Sequence, residues 1–183
     1  VSATPLTLPL SNQAVENLRA GEQVMLSGVV LTGRDQACAR LDQLAKAQRP
    51  LPVDLTGQLI YFVGPTPARS GHVIGSAGPT TTGRMNSFLP TLLDQGLRGF
   101  IGKGYIDDAV KEAVRKHHAV YFGAIGGSGA LLSSTITAVQ EIAFPELLTE
   151  SIKRLTLNQF PAVVLYDAHG GDLYAQAKRR EFP

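Results

Sequence analysis

Apolar residues in this chain fall into short runs closed by glycine or proline, separated by stretches with helical spacing. Short apolar runs bounded by turn residues predict buried strands; apolar residues three and four apart predict one-sided helices. Strands are expected over 23–32 (interrupted at Gly28), 58–63, 72–77, 99–101, 119–122, 140–143 and 162–167, with a last return over 172–175. Helices are expected after Ser11 to about Arg19, over 37–48, over 85–95 with a kink or split at Pro90, over 107–116, from about Ala130, and over 146–152. Ser11 precedes its helix as a capping residue, and acidic residues at the start of 107–116 with basic ones at its end suit the helix dipole. Residues 1–10 carry two prolines and read as an extended arm.

Strands and helices alternate strongly from Gly78 onward, and the first half is richer in strands. That pattern predicts an α/β fold with a mixed, partly parallel sheet. No linker-like stretch divides the chain, so residues 1–183 are expected to form one domain with the arm attached. Open α/β sheets place ligands beyond the carboxyl ends of their strands, which directs attention to the loops there.

The richest of these loops is Gly78-Pro79-Thr80-Thr81-Thr82-Gly83-Arg84-Met85. Pro79 restricts the backbone, while the threonines and Arg84 offer hydroxyls and a guanidinium to one point. Such a loop suits a small oxyanion; the alternative is a strand-to-helix turn with a capping threonine. Two further cations follow strand-like runs: Arg34 in Thr32-Gly33-Arg34-Asp35, and Lys103 between Gly102 and Gly104. Each alone reads as a surface residue. Together they predict a convergent site for a dianion, with Thr80 and Thr81 as hydrogen-bonding or proton-handling groups.

Composition removes several function classes. The net charge of +2 is too small, and the basic residues too dispersed, to indicate nucleic acid; only Lys178-Arg179-Arg180 is a basic run. The single cysteine, Cys38, excludes an internal disulfide framework and a cluster held by cysteines of this chain. It points to a reducing compartment. No apolar run reaches membrane-spanning length, and the first residues lack the basic start and apolar stretch of a signal peptide. Gly102-Lys103-Gly104 lacks the spacing and the hydroxyl of a phosphate-binding loop. Gly123-Ala124-Ile125-Gly126-Gly127-Ser128-Gly129 reads as a tight strand-helix turn rather than an NAD site. His72, His117, His118 and His169 show no metal-site spacing, and Ser128 is not in a nucleophile elbow.

In chain order the motifs are Leu26-Ser27-Gly28 with Thr32-Gly33-Arg34-Asp35, Tyr61-Phe62-Val63-Gly64-Pro65, Gly78 to Met85, Gly102-Lys103-Gly104, Gly123-Ala124-Ile125-Gly126-Gly127, Phe144-Pro145-Glu146-Leu147 and Phe160-Pro161-Ala162. This series resembles the C-terminal domain, or separate β subunit, of the iron–sulfur hydro-lyases, class I fumarase and L-tartrate dehydratase. The resemblance implies a swivelling β/β/α domain closing over an active site shared with a larger α partner, a separate subunit or an N-terminal domain. It implies that the partner binds a 4Fe-4S cluster with one open iron, which takes the substrate hydroxyl and a carboxylate. Neither that cofactor nor any metal is then expected on this chain.

By position, Arg34, Arg84 and Lys103 match family residues that bind substrate carboxylates, and Thr80 matches the family's suggested base. Thr81 is expected to hydrogen-bond the substrate, and Asp35 to orient Arg34. The implied activity is reversible hydration of fumarate to L-malate. L-tartrate dehydration, or a non-catalytic dicarboxylate-binding module, are the alternatives. The resemblance further implies a cytoplasmic dimer or heterotetramer. Relatives often carry histidine at Cys38 and aspartate at Asn86, so proton transfer at the first position and an ion pair at the second are open here.

Overall fold

A computed structural model of the chain describes residues 3–125 and 127–179. Val1 and Ser2 of the arm, Gly126 of the glycine-rich turn and Arg180 of the basic run lie outside the described residues.

Four parallel strands form the frame: β2 (Gln23–Gly33), β3 (Leu59–Phe62), β4 (Gly99–Gly102) and β5 (Val120–Gly123). The arm contributes β1 (Thr4–Thr7), parallel to the first half of β2. β6 (Ile136–Ala143) and β7 (Ile152–Tyr166) run antiparallel to each other. The order is β1-β2-β3-β4-β5-β7-β6, with a further antiparallel pairing of β7 to β2. That pairing closes β2, β3, β4, β5 and β7 into a ring.

Alternation along these strands feeds two cores. Leu59, Tyr61, Ile101, Val120, Phe122, Phe160 and Val164 belong to one, inside the ring. Ile60, Phe62, Phe100, Tyr121 and Leu165 belong to the other, beneath the helices. Burial on both faces explains why these strands read as unbroken apolar runs rather than as alternating ones. The covering helices are α2 (Asp35–Lys46), α3 (Leu89–Asp94) and α4 (Asp108–Lys116), which face the sheet with Leu41, Leu92 and Val110 among others. α1 (Asn12–Asn17) precedes β2; its cap, Ser11, accepts from the Ala14 N–H at 3.1 Å. Asp107 caps α4 in the same way, accepting from the Val110 N–H at 2.9 Å. α5 (Gly129–Ser134) and α6 (Leu173–Arg179) complete the helices.

Several expectations are corrected. Residues 72–77 form no strand: they fold back on Thr66, whose hydroxyl accepts from the Ser76 N–H and whose carbonyl accepts from the Gly75 N–H. The expected helix over 85–95 is a 3-10 turn, Thr82–Met85, followed by α3. Pro90 lies in the first turn of α3, where its missing N–H costs nothing, so it starts that helix instead of kinking one. The segment over 146–152 is a 3-10 turn, Pro145–Glu150, broken at Leu148. The strand expected over 162–167 begins ten residues earlier, because polar residues of β7 face solvent while Leu155, Leu157 and Phe160 face the core. Residues 172–175 make one bridge, Asp172 to Tyr166, and then turn into α6.

Candidate functional site

The carboxyl ends of β2, β3 and β4 lie side by side; Arg34 follows β2, Lys103 follows β4, and the threonine loop returns to the end of β3. Arg34 is the residue after β2 and caps α2 with extended backbone. Its guanidinium lies over Gly64, just beyond β3: a Cβ there would sit 2.7 Å from an Arg34 terminal nitrogen. Any larger residue at position 64 would displace the arginine.

The threonine loop is stitched to the same edge from both sides. The Thr80 N–H donates to Phe62 C=O at 2.8 Å, and the Thr82 N–H donates to Lys103 C=O at 2.8 Å. Thr81 forms a bridge with Lys103. The buried Thr82 hydroxyl accepts from Tyr121 Oη at 2.9 Å. Gly102 makes this contact possible, because a Cβ there would lie 2.0 Å from Thr82 Oγ1. Burial pushes the pKa of the Tyr121 phenol, like that of Tyr61, well above its ordinary value, so both act as neutral donors.

Arg84 completes the group. Its Nε donates to Asp35 Oδ1 at 2.9 Å, and a terminal nitrogen lies 2.9 Å from Asp35 Oδ2. This ion pair, with one hydrogen bond, ties the threonine loop to the start of α2. Asp35 was expected to orient Arg34; it pairs with Arg34 at 3.7 Å and also with Arg84 at 2.9 Å, so it stands between the two. Lys103 takes part in no ion pair among the described residues. Thr80 is partly buried and Thr81 exposed, and no imidazole or carboxylate hydrogen-bonds either hydroxyl among the described residues.

The structure thus brings together Arg34, Thr80, Thr81, Arg84 and Lys103, with Asp35 between the two arginines. The edge they form is open: the Arg84 side chain is 51% exposed. A separate cavity of about 510 Å3 lies between the loop of Arg69 and His72 and the α5–β6 corner. None of the five residues lines it.

Cys38 is fully buried in α2, and burial, then Asp35 and Glu150, drives its thiol far above the ordinary range. It is packed in the interior, where burial disfavours its thiolate. Asn86 carries no charge, and its Oδ1 is buried without a partner. His117 pairs with Asp94 and His118 with Glu16; His169 reaches Glu16 C=O at 2.8 Å. Among the described residues no group of three or more His, Cys, Asp or Glu is placed to hold a metal ion, and no helix is long and apolar enough to cross a membrane.

Sequence reasoning missed Glu150, which accepts from the Gln36 N–H at 2.9 Å and lies 3.9 Å from Arg34. Its separation from Arg34 along the chain left no local signal.

The chain matches the Fumarase C-terminus family model over residues 3–177. It is 34% identical to fumarate hydratase 2 of Leishmania major, over 90% of this chain and 29% of that protein. It is 35% identical to the anaerobic class I fumarate hydratase of Escherichia coli strain K12, over 87% of this chain and 29% of that one. The L(+)-tartrate dehydratase subunit beta of the same organism is 31% identical over 95% of this chain and 88% of the subunit. The chain therefore spans about a third of the fumarate hydratases it matches and most of the tartrate dehydratase subunit. With nearly every residue inside the family model, the chain belongs to the Fumarase C-terminus family.

Proposed function

We propose that this chain is the substrate-binding component of an iron–sulfur hydro-lyase, and that its reaction is the reversible hydration of fumarate to L-malate. The convergence of Arg34, Arg84 and Lys103 on one open edge carries this reading. A dicarboxylate has two anionic ends, and cations delivered from two strand ends and the 3-10 turn beside them can meet both. Abstraction of a proton α to a carboxylate builds an aci-carboxylate of higher charge. Fixed cations stabilise that state more than the substrate, which lowers the barrier.

Within this reading Arg34 and Arg84 grip carboxylate oxygens, and Lys103 adds a point charge that takes part in no ion pair among the described residues. Thr81 hydrogen-bonds substrate. Thr80 handles the proton; a threonine hydroxyl is a weak base, and among the described residues no imidazole or carboxylate hydrogen-bonds it. The 4Fe-4S cluster belongs to a partner, since buried Cys38 does not suit it. That partner is an α subunit or a further domain, in a cytoplasmic dimer or heterotetramer.

A second reading, L-tartrate dehydration, is supported by the identity to the tartrate dehydratase β subunit over most of its length. Both readings are tested by combining the chain with the cluster-bearing component and following fumarate and L-tartrate separately. Turnover should require both components, and the preferred substrate decides between the readings. Hydration by this chain alone, without iron, would falsify the proposal. Ligand binding with no turnover in the combined preparation would make the chain a dicarboxylate-binding module instead.

A further inference from the structure

The turn from Phe144 to Ser151 is unusually constrained for a surface connection. Phe144 and Leu148 both have positive φ, 55° in each case, and Leu148 combines this with ψ −109°. Non-glycine residues avoid such conformations unless their surroundings impose them. Here Leu148 C=O accepts from the Ser151 N–H at 3.2 Å, the Ser151 hydroxyl at 2.8 Å and Lys153 Nζ at 2.9 Å. Lys153 also contacts the Ser151 hydroxyl, which lies 2.7 Å from a Glu141 carboxylate oxygen. From the other side Arg40 of α2 pairs with Glu146 and lies over the Phe144 ring, 5.2 Å from its centre.

The product of this bracing is the location of Glu150. One carboxylate oxygen is fixed by the Gln36 N–H. The other faces the Arg34 guanidinium at 3.9 Å, with the Glu150 side chain only 15% exposed. That distance is too long for a hydrogen bond but acts through charge, weakly screened at such burial. With Asp35 at 3.7 Å and Gly64 beneath, Arg34 is held in place by fields and shape. Its N–H donors meanwhile bind no protein acceptor among the described residues. Arg84, by contrast, commits two nitrogens to Asp35.

We propose that Glu150 is a positioning residue for Arg34: mounted on the strained Phe144–Ser151 turn, it orients the guanidinium while leaving its donors free for an incoming carboxylate. The proposal rests on the reading of Arg34 as a carboxylate-binding residue. It also accounts for the strain, since a relaxed turn would have no reason to carry Glu150 back to α2.

The test uses the chain combined with its cluster-bearing component, with succinate as a non-reacting dicarboxylate probe. Glu150→Gln keeps an acceptor for the Gln36 N–H and removes the charge facing Arg34. It is expected to lower kcat/KM and succinate affinity by about tenfold, the scale of a slightly misplaced group, with little change in Tm. Glu150→Asp should recover part of the loss. Adding Glu150→Gln to Arg34→Ala should cost nothing further, because the effect passes through Arg34. Unchanged activity and affinity in Glu150→Gln, or a fully additive double variant, overturns the proposal while leaving the dicarboxylate site standing. Losses that track lowered Tm in both the Gln and Asp variants make Glu150 a folding residue and also overturn it. If Arg34→Ala is itself silent, the reading of Arg34 fails first and takes the proposal with it.

Discussion

Arg84 meets Asp35 through two parallel contacts, yet half of its side chain is exposed. Exposed ion pairs contribute at most about 1 kcal/mol to stability. Removal of one group that stabilises a transition-state anion costs about a hundredfold or more in rate. Arg84→Ala should therefore lose about that factor in kcat/KM of the combined enzyme while Tm barely moves. A variant that melts early at unchanged specific activity would mark Arg84 as structural. The candidate cations stand out at the residue level because each sits beside a glycine, although the strand expected before the threonine loop does not form. The second partner of Asp35 was not legible: besides its sequence neighbour Arg34, its carboxylate reaches Arg84, forty-nine residues away. Cys38 shows the same limit. Helical spacing placed it on α2, and only packing under Gly33 and Ile60 revealed a thiol with no access to the site.

Among elements, helices with a cap and a one-sided apolar face were readable; those shaped by distant contacts were not. α4 starts at Asp107 and turns Val110, Ala113 and Val114 inward, as its spacing requires. α6 depends on a contact from outside itself. Lys111 of α4 lies 2.9 Å from Asp172, whose other oxygen accepts from the Ala175 N–H at 3.0 Å. Burial alone would raise the Asp172 carboxyl, but the hydrogen bonds from Lys111 and the backbone outweigh it and hold it below its ordinary 3.8. The hydrogen bond to Asp172 likewise raises Lys111, against a smaller effect of burial. A carboxyl lowered on folding contributes stability above its ordinary pKa and loses it as pH falls through the lowered value. A lysine raised on folding contributes below 10.5 and loses it as pH climbs through the raised value. Asp172→Asn should thus cost about 1 kcal/mol near neutral pH, with the difference closing in acid. Urea unfolding at neutral pH and at about pH 3 checks this; an equal cost at both would show that charge is not the cause.

For the whole molecule, closure of β7 onto β2 is the organising event. It joins the last long strand to the first and shuts Phe160 and Tyr61 inside, with ring centroids 5.2 Å apart and nearly perpendicular. Phe160→Ala should cost about 3–5 kcal/mol and lower the urea midpoint of one cooperative transition. A shift confined to part of the chain would mean that the ring is not the unit of stability. The sequence by itself determined the α/β class, the short buried strands and the capped helices, since these follow from local periodicity and backbone chemistry. It also marked Arg34, Arg84, Lys103 and the threonines, because glycine-flanked polar residues after apolar runs stand out locally. The length of β7, the closed ring, the Asp35–Arg84 pair and the reach of Glu150 to Arg34 were decided only by tertiary structure. Each joins residues far apart in the chain, and local preference carries no information about which distant partner will satisfy a strand edge or a charge.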